Sequence, residues 1–172
     1  LPHNQTVRIL GIDPGSITTG FGVVDYERGR LALIEHGSIS TARGAALSER
    51  LSRIYRAVGE VIRRTSPEAV AIETPFGGRN VSSLVQLAQA RGVILLAVEE
   101  ARLQIFEYSP RSVKSAVVGY GGAEKDQVAK MVRMLLPGCA MVKMSADASD
   151  ALAIAICHAH TAGTNARLKI RA

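Results

Sequence analysis

Arg8-Ile9-Leu10-Gly11-Ile12-Asp13-Pro14-Gly15, followed closely by Thr19-Gly20-Phe21-Gly22-Val23-Val24-Asp25-Tyr26 and then Glu27-Arg28-Gly29-Arg30, sets the start of this fold. Arg8–Asp13 is a short apolar run closed by Asp-Pro-Gly, which reads as a strand and a turn. Gly20–Tyr26 is a second strand, rich in β-branched and aromatic residues. Glu27–Arg30 is a hairpin turn, and Leu31–Thr41 is a third strand. The connections are short, so the three strands form an antiparallel meander.

Downstream the period changes. Leu47, Leu51, Ile54, Tyr55, Val58, Val61 and Ile62 recur on one face of a helix over Ala45–Arg64, and Ser66-Pro67 ends it. Ala69–Glu73 is a buried strand with nothing polar before Glu73. A loop, Pro75–Arg79, leads to a helix over Val81–Glu99 that is apolar nearly all round. Such a helix needs a central place in the core or cover from a second subunit. Leu87 is expected on its outer face. Leu103–Tyr108 is a fifth strand, and Pro110 opens a short helix, where proline costs no hydrogen bond. The Gly119–Gly122 turn precedes a helix over Ala123–Leu136, stopped by Pro137-Gly138, and an alanine-rich helix over Ala146–His160 comes last. The order β-β-β-α-β-α-β-α, with its penultimate helix split, predicts an α/β fold. Its five-stranded mixed sheet, first three strands antiparallel, is flanked by helices in the ribonuclease H-like arrangement. One domain over residues 1–172 is expected, with 1–7 and 163–172 as flexible ends.

The 172 residues suffice for one core, and 47% apolar with 21% charged residues excludes a disordered, collagenous or coiled-coil chain. The apolar runs read as too short to span a bilayer, so no membrane partner is expected. Cys139 and Cys157 form neither a CxxC pair nor a zinc spacing, and Leu1–Thr6 lacks a signal-peptide core. A cytoplasmic protein is the expectation. The net charge is +6, and none of the five lysines precedes Lys114. A basic second half suits either a solvated surface or a phosphate-binding face.

Four acids stand beside apolar segments. Asp13 ends the first strand, Glu73 ends the fourth, and Asp147 and Asp150 open the last helix on one face. Three have an ordinary use, Asp13 in a turn and the helix pair at a positive helix end, whereas a glutamate such as Glu73 closing a buried strand has little. Together they are expected to meet, because strands one and four are neighbours in this fold. Four carboxylates at one point repel unless a cation neutralises them. Hard oxygen ligands select Mg2+, with Mn2+ able to substitute. Two such ions about 4 Å apart activate water and stabilise the leaving oxygen in phosphodiester hydrolysis. Lys114 and Lys125 are candidates to face the phosphate, with Arg111 and Lys130 extending the same track. Phe76, set between Pro75 and Gly77-Gly78, suits stacking on exposed bases, and Arg79 shares its surface. His158 and His160 read as structural or surface residues.

The chain resembles the RuvC family of Holliday junction resolvases, the crossover junction endodeoxyribonucleases. The resemblance spans Arg8 to His160 and rests on several motifs in order: Gly11-Ile12-Asp13-Pro14-Gly15, Ile72-Glu73 with Phe76, Gln89-Ala90-Arg91-Gly92, Val113-Lys114, Ala123-Glu124-Lys125, and Asp147-Ala148 with Asp150-Ala151. It implies a homodimer that nicks two opposed strands of a four-way junction and works with the RuvA and RuvB branch-migration complex. It implies metal ligation by Asp13, Glu73, Asp147 and Asp150, functional roles for Lys114 and Lys125, and a junction-contacting role for Phe76. Phe21 stands where the family usually has Tyr, and Thr74-Pro75 replaces a Gln-Val-type pair, which puts the aim of the Phe76 loop in question. Two other readings compete. An actin-like ATP-binding protein shares the Gly-Ile-Asp-x-Gly opening but needs two lobes and has no use for Asp147 and Asp150. A junction-binding module without catalysis would shed acids from its DNA face.

Overall fold

The computed structural model describes residues 6–75, 81–139 and 143–170. The elements are β1 (Val7–Asp13), β2 (Thr18–Glu27), β3 (Arg30–Ser40), α1 (Leu47–Thr65), β4 (Ala69–Glu73), α2 (Val81–Glu100), β5 (Gln104–Tyr108), α3 (Pro110–Val118), α4 (Lys125–Leu135) and α5 (Ala146–Ile170), with a 3-10 turn at Pro137–Cys139. The sheet order is β3-β2-β1-β4-β5. β1, β2 and β3 pair antiparallel, while β4 runs parallel to β1 and β5 parallel to β4. This is the expected mixed sheet.

Alternation along the strands sorts two cores, because successive side chains leave opposite faces. Leu10 and Ile12 of β1 join Val70 and Ile72 of β4 against α1 and α2. Val7 and Ile9 join Ala71 against α3, α4 and α5. Gly11 occupies the second face between Ile9 and Asp13. A Cβ there would lie 2.1 Å from the Ala151 carbonyl oxygen and 2.7 Å from the Ala155 nitrogen, and one at Gly20 would lie 2.0 Å from the Asp147 carbonyl oxygen. Helix backbone therefore rests on strand backbone, and the alanines of α5 permit this from the other side.

Local chemistry sets the helix ends. Ser66 takes the left-handed conformation (φ 47°) after α1 and donates its N–H to the Ile62 carbonyl. Ser109 caps α3, its hydroxyl accepting from the Ser112 N–H at 3.1 Å ahead of Pro110. Gly119 ends α3 at φ 97°, where a side chain would be strained. Glu124 and Gln127 form a reciprocal capping box on α4.

Four expectations need correction. Val7 is not frayed: it is buried and pairs with Tyr26. α5 continues to Ile170, ten residues past His160, because Thr161–Ile170 holds no proline and its one glycine, Gly163, weakens a helix without ending it. α2, with 20 residues and a mean hydropathy of 1.6, is long and apolar enough to cross a membrane by length and composition. Its polar residues Gln86, Gln89 and Arg91 made the runs look short, yet they scarcely lower the average. In this fold the inner face of α2 buries Ala90, Ile94 and Val98, and Arg91 pairs with Glu107 at 2.5 Å. Val81, Val85 and Leu96 are left 75%, 51% and 52% exposed. Leu87 is not on that outer face; it lines a recess beside Asp13 and Glu73.

Candidate active site

β1 and β4 run parallel with Ile12 opposite Ile72, so the next step along both strands sets Asp13 beside Glu73. By alternation both leave the face carrying Gly11 and Ala71, the face that α5 covers. Asp13 also pairs with Gly20 of β2, and Gly20 is where the Asp147 backbone touches the sheet. The first turn of α5 is thereby brought next to Asp13.

Asp13, Glu73, Lys114, Lys125 and Asp150 line one cleft of about 250 Å³, walled by Pro110, Val113, Val128 and Ala153. Within it the Lys125 ammonium donates to Asp150 Oδ2 at 2.8 Å. Burial pushes the Asp13 carboxyl up to about 7, the charges of Glu73 and Asp150 push the same way, and Lys125 offsets only part of this. Glu73 is raised by burial and then by Asp150, against Lys125 and Lys114. Lys125 is raised by its bond to Asp150. Crowded acids that hold protons this firmly mark a place where a cation is wanted.

The four acids do not meet at one point. Asp147 raises Asp13 electrostatically but is not among the residues lining the cleft. Among the described residues, no three His, Cys, Asp or Glu side chains are gathered closely enough to hold an ion as they stand. Arg111 is exposed, with its stem over Gly121, and Lys130 is exposed on α4; neither lines the cleft. Phe76 and Arg79 lie outside the described residues.

Sequence reasoning missed two features. Arg91 shares with Asp13, Glu73 and Leu87 a recess of about 30 Å³ on the α2 side. Tyr108, opposite Glu73 on β5, hydrogen-bonds through its hydroxyl to His158 Nδ1 at 2.8 Å and takes the Thr74 N–H on its carbonyl. This ties the strand ends to α5. Strand register, invisible before pairing is known, was the signal for Tyr108. His158 is structural: it stacks on Phe106 with ring centroids 4.1 Å apart, and burial lowers it to about 4.

The family model for crossover junction endodeoxyribonuclease RuvC matches residues 9–158. The chain belongs to the RuvC family. The RuvC of Chloroflexus aggregans is 47% identical over 164 residues, covering 95% of this chain and 99% of the relative. That of Maricaulis maris is 49% identical over 155 residues, covering 90% and 92%. Thermus thermophilus RuvC, solved in complex with a Holliday junction substrate, superposes with a TM-score of 0.86 at 36% identity, over 92% of this chain and 96% of that one. The yeast mitochondrial Holliday junction resolvase shares the fold, with a TM-score of 0.70 at 14% identity over 96% and 85%.

The donor set of this RuvC-family cleft suits a divalent ion of the magnesium kind: the candidate ligands are hard carboxylate oxygens, with no sulfur or imidazole in the lining. A pH dependence follows. Asp13 binds its proton more tightly folded than unfolded, so that contribution to stability is full below 3.8 and lost as pH rises through about 7. A divalent ion competes with the same proton. Magnesium is therefore expected to raise the melting temperature of the DNA-free protein more at pH 8 than at pH 6. Equal calorimetric shifts at the two pH values would remove Asp13 from the ligand set.

Proposed function

We propose that this chain is a metal-dependent endodeoxyribonuclease that resolves four-way DNA junctions by paired, symmetric nicks during recombination and repair in the cytoplasm. The observation that carries this reading is one cleft in a RuvC-family chain, where strand-end carboxylates Asp13 and Glu73 meet Asp150 of α5 and the lysines of α3 and α4. Asp13, Glu73 and Asp150, with Asp147 from the adjoining turn, would hold two Mg2+ ions, and Mn2+ would serve in their place. When bound, such ions supply Lewis-acid stabilisation and an activated water. Lys114 and Lys125 hold the scissile phosphate in the same cleft and face the charge that develops on it. Phe76, Arg79, Arg111 and Lys130 belong to the wider DNA surface.

A synthetic four-way junction with magnesium, beside a linear duplex, tests this. Symmetric nicks at the junction alone are expected; equal cutting of the duplex, or binding without nicking, overturns it. Lys114→Ala is expected to slow single-turnover cleavage by about 10²-fold, the scale of losing one aimed donor, with junction affinity changed far less. Quench-flow rates beside gel-shift affinities decide between this role and simple charge attraction.

Two opposed strands require two sites, and a two-fold dimer supplies them. The outer face of α2 provides the surface. Val81, Val85 and Leu96 are exposed along it, with Ala88 and Gly92 between them small enough for close helix approach. Leu96→Glu is expected to give a single-chain mass in light scattering and unpaired nicks on the junction. RuvA and RuvB complete the expected partners.

A further inference from the structure

Lys125 and Asp150 form the one ion pair inside the cleft among the described residues. The two partners are unequally anchored. The Asp150 side chain is 28% exposed and sits on a buried helix, whereas the Lys125 side chain is 78% exposed. The backbone at the start of α4 is pinned: the Glu124 N–H donates to Gln127 Oε1 at 2.8 Å, the Tyr120 hydroxyl donates to the same oxygen at 2.7 Å, and Val128 is buried one turn on. Only the lysine stem is free to move. An ion pair this open to solvent is weak and readily exchanged.

We propose that Lys125 is a placeholder cation, which neutralises Asp150 until a divalent ion takes that carboxylate and then turns to the substrate phosphate. The inference rests on the metal-dependent reading above. An ammonium and a divalent ion bound to one carboxylate oxygen repel at short range, and a hard carboxylate prefers the divalent ion. Lys125 therefore opposes metal loading in the free protein and is released by it. Lys114 lines the same cleft without an ion pair to any described carboxylate, so it adds positive field but blocks no ligand.

The two lysines thus differ in a readout that needs no DNA. Mn2+ binding to the full chain, followed by electron paramagnetic resonance, should tighten about fivefold in Lys125→Met, the exchange value of an exposed ion pair. Lys114→Met should tighten by less than about twofold, and in an Asp150→Asn background, which binds more weakly for want of a ligand, adding Lys125→Met should bring no such gain. Lys125→Gln provides a second variant that keeps a polar end. Unchanged or weaker Mn2+ binding in both Lys125 variants overturns the proposal, and so do equal gains at Lys114 and Lys125, which would mean a general field effect. Absence of Mn2+ binding in every protein, wild type included, overturns the metal-dependent reading as well. Junction nicking by the wild type beside unaltered Mn2+ affinity in the Lys125 variants overturns this inference alone.

Discussion

The Asp13→Asn protein is expected to bind a four-way junction as tightly as the wild type and to cut it at least about 10³-fold more slowly, the rate equivalent of several kcal/mol of metal-supplied stabilisation. The substitution keeps the shape of the side chain, so the cleft stays formed. It removes a charge that is buried and crowded by Glu73 and Asp150. Two further consequences separate a lost ligand from a damaged fold. The metal-free protein should melt higher than the wild type near neutral pH, because a buried uncompensated charge has gone. Junction affinity should hold or rise, because one negative charge has left a phosphate-facing surface. A variant that still cuts, or that melts lower and fails to bind, would take Asp13 out of the role assigned to it.

Gly11→Ala should come close to unfolding the chain. The new Cβ would lie 2.1 Å from one α5 backbone atom and 2.7 Å from another, and neither can turn aside as a side chain can. The helix has to lift off β1, which costs about 3 kcal/mol or more, or roughly 10 °C in melting temperature for a domain of this size. Gly59→Ala is the comparison, since a Cβ in that interior helical position meets nothing within 4 Å. It should stabilise by roughly 0.5–1 kcal/mol. Scanning calorimetry of the two proteins distinguishes a steric requirement at Gly11 from a general preference for glycine.

Most of the fold was legible because its signals are local. The Asp-Pro-Gly turn, the Arg28-Gly29 hairpin, the one-sided stripe of α1 and Pro110 at a helix start each report on a few neighbouring residues. Asp13 and Glu73 were legible as strand-end acids for the same reason. Distances between elements were not. Four acids in sequence suggested one meeting point, but Asp147 stands beside the cleft rather than in its lining, a separation that depends on how α5 seats on Gly20. Leu87 was misplaced because an apolar helix gives no phase: with few polar residues to mark a solvent side, its inner and outer faces look alike. α5 was ended early because its apolar pattern fades after His160, although helix formation does not require that pattern.

The glycine contacts under α5 divide the cleft into a fixed half and an adjustable half. Where main chain abuts main chain, the spacing is a datum that no replacement elsewhere in the interior can rescale. Asp13 and Asp150 are gauged from it. Lys125 is gauged differently, through α4, whose seating on α5 depends on the bulk of Val128 and Val132. Sequence drift in that layer should therefore reposition the basic wall and leave the acidic wall in register. Relatives with altered α4 interiors should diverge in turnover and, through the Lys125–Asp150 contact, in ion affinity, while keeping Asp13 and Asp150 at the same spacing.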